Sequence, residues 1–456
     1  MARKRTNFTP LIIVLAVILV CLVALAIFLR QTENAVDPTD PTPTVTDAPT
    51  DPPTEPPTDP PVVKTATATI GAMGDLLMHM PVVNGYYNSS NGTYDFTPAF
   101  RYISPIISQL DYAAINLETT LCGTNNGFPY QGYPNFNCPD AIVDGVKNAG
   151  FDMLLTANNH TYDTGHVGFI RTQQVIRDKG LDHIGTRLSA EEKNYIIKDL
   201  NGIRIGMICY TYNTGVNSAG QVDLNWGNLM DVEDSPLINS YNYHQLDSFY
   251  QKLAGELAAM KAEGAEAIVV YMHWGEEEYH LTPNTHQTTI AQKLCDLGVD
   301  VIIGGHPHVV QPVELLTSTA DEGHKTLCLY SMGNALSNQR LGNVDCETSH
   351  TEDGVLFTVT FAKYSDGTVV VEATKVIPFW VNMYWGTNGR RQYDILPLDG
   401  ATETWQTALN LTADRYQLCL DSLNRTLALT EAGTQAANAY YSANQAAVEE
   451  LIGVKK

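Results

Sequence analysis

The sequence predicts an α/β layered fold, on three observations. Short apolar runs recur from Thr65 onward, each closed by Gly, Asn, Asp, Glu or His: "TATATIGAMGD", "YAAINLE", "FDMLLTANNH", "IRIGMICY", "AIVVYMHWG", "VDVIIGGHPH" and "TLCLYSMGN". Stretches of helical character lie between several of them, at 139–149, 166–179, 244–263 and 285–297, and strands alternating with helices imply helices layered on sheet. Two later runs, "GVLFTVTFAKY" and "TVVVEATKVIPF", flank a Ser-Asp-Gly turn and predict an antiparallel hairpin. The folded domain is expected over residues 65–395.

Ahead of it, residues 1–10 carry the cationic "MARKR" and are expected to be a basic cytoplasmic tail. Leu11 to Leu29 follow as 19 residues without a charge. At ~1.5 Å per residue that run covers about 28 Å, near the ~30 Å of a bilayer's hydrocarbon core. The expectation is a single-pass signal-anchor helix in a cell membrane, with the N-terminus cytoplasmic and the C-terminal domain extracellular, because the cations precede the run. It exceeds the ~7–15 residues of a cleaved signal core, and no small-x-small cleavage pattern follows. Residues 30–64 then turn to Pro, Thr and Asp, with ten prolines, six acids and no base over 37–61. Such a segment buries nothing and predicts an extended, self-repelling spacer. Residues 396–456 are helical in pattern and low in β-branched residues, which predicts a helical C-terminal segment.

Composition narrows the function. A formal charge of −23 excludes a nucleic-acid reader, which presents a basic face to its polyanion. Small anions at a metal site stay compatible, since a bound divalent cation dominates its local field. Seven cysteines lie outside the apolar run, an odd number with no CxxC pair, so neither a zinc knuckle nor a disulfide framework is indicated. Cys122 with Cys138, or Cys328 with Cys346, could pair; Cys209, Cys295 and Cys328 sit in apolar runs and read as core.

Five of the strand-like runs end in groups that bind metals. The ends are Gly74-Asp75 with His79 a turn later, Asn116-Leu117-Glu118, Asn158-Asn159-His160 with Asp163, His273-Trp274-Gly275, and His306-Pro307-His308. Each has a bland reading: Gly-Asp is commonly a turn, Asn and Asp bond their own chain, and a lone His273 could be a satisfied core residue. Ligands of open α/β sheets sit outside the carboxyl ends of strands, so the five ends are expected to converge on one rim. The candidate ligands are Asp75, Glu118, Asn159, His273, His306 and His308. Mixed oxygen and nitrogen donors without a thiolate suit two divalent ions, manganese, iron or zinc, in a non-structural site. Such a pair clamps an oxyanion and activates water. His160, beside Asn159, is the candidate general acid.

Taken in order, "GD", "INLETT", "ANNHTYDTG", "MHWGEEEY", "GGHPHVVQPVE" and "YSMGN" resemble the bacterial capsule-synthesis CapA family, associated with poly-gamma-glutamate production, over about residues 67–380. That family is similar to the calcineurin-like metallophosphoesterases. The resemblance implies a four-layer α/β/β/α sandwich and a metal-dependent hydrolase-type site. It implies Asp75 and His308 on one metal, Asn159, His273 and His306 on the other, Glu118 bridging, and His160 as the catalytic histidine. Asn116, Asn158, Asp163, Trp274, Tyr279 and Asn334 fall in the same motifs as supporting residues, with His79 beside them. Three departures stand out, the first being Glu118 at the bridging place where the phosphoesterases use aspartate. Leu77 occupies the place two after the first aspartate where the phosphoesterases carry histidine, and Glu276 to Glu278 add a residue between His-Trp-Gly and Tyr279. The functions implied are synthesis, export or attachment of an anionic envelope polymer or its precursor, in company with polymer synthase or export proteins. The alternatives are a phosphoesterase of envelope phosphoesters and a non-catalytic scaffold.

Overall fold

Period-two burial sorts the strands into layers. In the strand Ile203–Asn213, Ile203, Ile205, Met207 and Cys209 enter one apolar core while Ile208, Tyr210 and Tyr212 enter another. Ala267–His273 does the same, with Ala267, Val269 and Tyr271 on one face and Ile268, Val270 and Met272 on the other. Successive strand residues leave opposite faces. A strand apolar on both faces therefore has to be covered twice.

The computed structural model describes residues 62–275, 278–343, 346–400 and 402–451. Its first large sheet runs, in spatial order, Arg391–Pro397, Val369–Trp385, Asp353–Tyr364, Lys64–Leu76, Tyr112–Asn116, Met153–Leu155 and Asp182–Ile184, with Asn334–Leu336 paired to Lys64–Leu76. The last four of that order are parallel, and the first three form an antiparallel meander that contains the predicted hairpin. The second runs Ser240–Asn242, Ile203–Asn213, Ala267–His273, Val301–Gly305, Lys325–Leu329 and Val313–Thr317. All but the edge strand Val313–Thr317 are parallel along that path.

Three cores follow from this pairing. One lies between the sheets and takes Ile70, Ala72, Met207, Val269, Val301 and Phe357. A second joins the outer face of the first sheet to helix Ala141–Ala149 and the short turns before Tyr112. A third joins the second sheet to helices Leu246–Ala262 and Thr285–Asp296. The layers are helix, sheet, sheet, helix.

The 39-residue helix Ala413–Leu451 packs along Val369–Trp385 and Val313–Thr317, so it touches both sheets. Ala437 and Tyr441 enter the intersheet core. Elsewhere its seam is polar: Arg425 forks onto Asp353 with two 2.8 Å hydrogen bonds, and Asn438 bonds the backbone of Thr374 in both directions.

One expectation is corrected. The anchor over 11–29 and its basic tail lie outside the described residues, and no helix among the described residues is long and apolar enough to cross a membrane. The longest, Ala413–Leu451, carries charge along its length at Asp414, Arg415, Asp421, Arg425 and Glu431. The single-pass membrane placement with an extracellular domain is therefore not retained.

Candidate metal centre

All five predicted strand ends meet at one rim. Parallel pairing aligns Asp75 with Asn116, and Asn116 with Leu155, so the loop from Thr156 to His160 begins beside Asn116, one strand from Asp75. In the second sheet the register sets His273 beside Gly305, one residue before His306. Two glycines let neighbouring backbone within each sheet come close at this rim. A Cβ on Gly74 would come 1.7 Å from the Gly333 carbonyl oxygen, and one on Gly304 would come 2.0 Å from that of Tyr330. His306 and His308 both have left-handed backbones, at φ 97° and 57°. Positive φ in a non-glycine residue costs on the order of 1–3 kcal/mol and collects at functional sites.

The candidate ligands form two triads. Ligand atoms of Asp75, Glu118 and His308 lie within 4.8 Å of one another, as do those of Glu118, His273 and His306. Glu118 belongs to both, which is the partition the family resemblance implies. Asn159 joins the second triad, its Oδ1 2.8 Å from His273 Nε2, and His273 Nε2 is 3.2 Å from His306 Nδ1. His308 Nδ1 stands 3.1 Å from Asp75 Oδ2 while its Nε2 faces Glu118 at 3.8 Å.

Burial sets the electrostatics. Glu118 is fully buried, and neither carboxylate oxygen has a hydrogen-bond partner. Burial first, then the Asp75 charge, pushes its carboxyl well above the usual range. Burial also works against the Asp75 carboxylate, but the hydrogen bond and charge of His308 prevail and hold it at about 2. Burial lowers His273 to about 3, and burial with the neighbouring His273 takes His306 well below its ordinary value. For His308 burial is outweighed by Glu118 and by the Asp75 hydrogen bond, which lift it to about 10. An unpaired buried carboxylate costs several kcal/mol. Beside His273 and His306, whose imidazoles are held neutral, it is a donor set that fits divalent cations and is left short without them.

The other predicted residues divide by role. Asn116 donates to Asp75 Oδ1 at 2.7 Å, and Asn158 donates to Asn116 Oδ1 and the Leu117 carbonyl, so both brace the ligands. Asn334 donates to the His308 carbonyl at 3.2 Å, Tyr279 N donates to the Pro307 carbonyl at 2.8 Å, and buried Trp274 donates to the Tyr330 carbonyl. His160 Nδ1 sits 2.7 Å from Asp163 Oδ2, and the Asp163 charge outweighs burial to raise the imidazole's pKa. His79 stays outside both triads. Its Nδ1 is 3.1 Å from the Leu77 carbonyl, and its ring meets Phe136 edge-on. It lines, with His160, His308, Glu278 and Tyr279, a cavity of about 430 Å³ that opens beside the centre.

Sequence reasoning missed several neighbours. Tyr212, next to last in its strand, places its hydroxyl 3.3 Å from His306 Nε2; the strand-end rule applied to "IRIGMICYTY" would have found it. Asn228, from the small sheet after that strand, donates to Asp163 Oδ1 at 2.9 Å and has no local signal. A third group, His166, Asp231 and Asp234, lies apart and is already joined internally, with Tyr162 and His166 bonded to Asp234.

Comparison with known proteins matches residues 69–339 to the family described as bacterial capsule synthesis protein PGA_cap. The capsule biosynthesis protein CapA of Bacillus anthracis is 28% identical over 59% of this chain and 60% of its own length. The PGA biosynthesis protein CapA of Bacillus subtilis (strain 168) is 28% identical over 53% of this chain and 57% of its own. The chain thus spans about 60% of the length of these curated relatives. Among solved structures, NAD nucleotidase of Haemophilus influenzae covers 84% of this chain and 60% of its own at a TM-score of 0.39 and 11% identity. The calcineurin-like phosphoesterase YfkN from Bacillus subtilis covers 79% and 98% at 0.36 and 15%. Likenesses at these scores add nothing to the reading of the site.

Proposed function

Since the chain belongs to the bacterial capsule synthesis protein PGA_cap family, we propose that it serves the synthesis, export or attachment of an anionic capsular polymer of the poly-gamma-glutamate kind, through a metal-dependent hydrolase- or transferase-type site. The observation that carries the metal part is Glu118, a buried carboxylate with both oxygens unpartnered between two histidine-bearing triads. Asp75, Glu118 and His308 would hold one divalent ion, and Glu118, Asn159, His273 and His306 a second. Such ions supply Lewis acidity and a lowered water pKa. This chain's own residues do the rest: Asn116 and Asn158 fix the carboxylates, and Asp163 orients His160 so that its Nε2 can present a proton at the cavity. Polymer synthase or export proteins are the expected partners.

A second reading has its own support. The His160–Asp163 pair borders the same cavity, an arrangement able to protonate an ester leaving oxygen, so a phosphoester could be the substrate. Turnover of an aryl phosphodiester, lost in His160→Ala while metal content is kept, would favour it.

Elemental analysis of the purified chain tests the first step. Close to two divalent ions per chain, lost in His306→Ala/His308→Ala, is expected. Equal, near-zero metal in both proteins after manganese, iron and zinc supplementation would overturn the metal reading and leave a scaffold role.

A further inference from the structure

Tryptophan and tyrosine rings are costly to leave in water, since each offers a large apolar area. Among the described residues the two most exposed large apolar side chains are Trp226, 81% exposed, and Tyr133, 74% exposed. Both stand on loops anchored to one carboxylate. Asn228, two residues after Trp226, donates to Asp163 Oδ1 at 2.9 Å, and Phe136, three after Tyr133, donates its backbone N–H to Asp163 Oδ2 at 2.6 Å. That carboxylate is the partner of His160. At no more than ~3.6 Å per residue, the backbone under either ring is within about 11 Å of a residue that touches Asp163. Tyr133 is itself part of the cavity wall.

Both mounts are built. The turn Asn225-Trp226-Gly227 joins the strands Val222–Leu224 and Asn228–Leu229, and all three residues have positive φ, at 59°, 56° and 129°. Bulky residues avoid that region, yet here one is held in it, with Trp226 N donating to Thr214 Oγ1 at 3.2 Å and Gly227 N to Asp223 Oδ1 at 2.8 Å. Tyr133 rides a loop closed by the reciprocal backbone pair of Gln131 and Asn137, at 3.1 and 2.9 Å. A strained backbone that holds an indole in solvent does not stabilise the free chain; strain of this kind collects where ligands bind.

Resting on the polymer reading above, we propose that Trp226 and Tyr133 are platforms for the non-reacting stretch of an amide-linked anionic chain, which lies across both rings while one of its linkages occupies the cavity. The chemistry of such a chain matches the rings. Its planar amides and paired methylenes lie flat on an aromatic face, and its carboxylates stay in water. A glycerol phosphate chain has no planar group to stack. Covering about 55 Å² of ring face is worth roughly tenfold in affinity, so a substrate too short to reach Trp226 from the cavity forgoes that gain.

Calorimetric titration of the manganese-supplemented full chain with long poly-gamma-glutamate and with γ-glutamylglutamate tests this, and tryptophan emission gives a second readout. Trp226→Ala is expected to weaken the polymer about tenfold and to move the dipeptide by less than about twofold. Tyr133→Ala should weaken both, and Trp226→Phe should keep most of the polymer's affinity while losing the emission change. Polymer affinity unchanged in either alanine variant, equal weakening of polymer and dipeptide by Trp226→Ala, or binding of poly(glycerol phosphate) in place of poly-gamma-glutamate would overturn the proposal. The wild-type titration separates the two readings. Polymer binding that survives the loss of the rings defeats the platforms alone, whereas a wild-type chain that binds no poly-gamma-glutamate defeats the polymer reading and this inference with it.

Discussion

Two regions of this molecule bury carboxylates, and they treat them in opposite ways. At the seam with the C-terminal helix, Asp353 is 1% exposed and meets the guanidinium of Arg425 in a two-pronged hydrogen bond, while Glu352 beside it pairs with Arg340 and takes the Trp380 indole N–H. At the strand ends, Asp75 and Glu118 are 0% exposed, and no lysine or arginine is paired with either among the described residues. Desolvation is severe in both places. The fold supplies a guanidinium where the carboxylate serves structure and only imidazoles where, on our reading, a cation arrives from solution.

That contrast is broken or sharpened first at Glu118. Glu118→Gln removes the shared member of both triads, so metal-dependent stabilisation should vanish. At a thousandfold excess of free metal over its dissociation constant that amounts to about 4 kcal/mol. The metal-free variant should be no less stable than metal-free wild type, because a buried carboxyl whose ionisation burial and Asp75 oppose is replaced by a neutral amide of the same shape. Thermal unfolding with and without manganese measures both halves. A variant that keeps its manganese-induced rise in Tm would break the comparison.

Asp353→Ala should behave in the reverse sense. It leaves Arg425 beside the seam without its partner and should lower stability by about 3 kcal/mol, with or without metal. Metal content should stay at the wild-type value. Denaturant unfolding gives the first number and elemental analysis the second; a drop in bound metal would mean that the seam and the centre are coupled.

How much of this was legible beforehand follows from where the information sits. Strand ends are punctuated locally, by Gly74-Asp75, Asn116, His273 and the Gly304-Gly305-His306 run, and strand-end geometry then carries such residues to one rim. That Glu118 is shared by two triads was implied only by the resemblance to the CapA family. What spacing could not show is backbone hand and long-range partnership. His306 and His308 have left-handed backbones that no residue pattern announces, and Asn228 reaches Asp163 from 65 residues away. The C-terminal helix presented no broad apolar stripe. Its buried face is largely Cys419, Ser422, Thr426 and Thr430, so its pattern revealed a helix without revealing what it packs on. The acids 276–278 stood out only as an inserted length.

His79 offers the smallest effect and the closest control on the comparison, since it sits near the centre yet belongs to neither triad. Burial lowers its pKa from 6.5 to about 4. Between those values the unfolded chain binds a proton that the folded chain refuses, so this residue contributes stability above about pH 6.5 that is lost as pH falls toward 4. His79→Gln should therefore flatten part of the acid-side decline in stability while leaving bound metal unchanged. Urea unfolding at a series of pH values across that window, with metal content measured in parallel, decides it. Loss of metal in His79→Gln would move this histidine into the ligand set, and Leu77 would then cease to be a real departure from the phosphoesterase pattern.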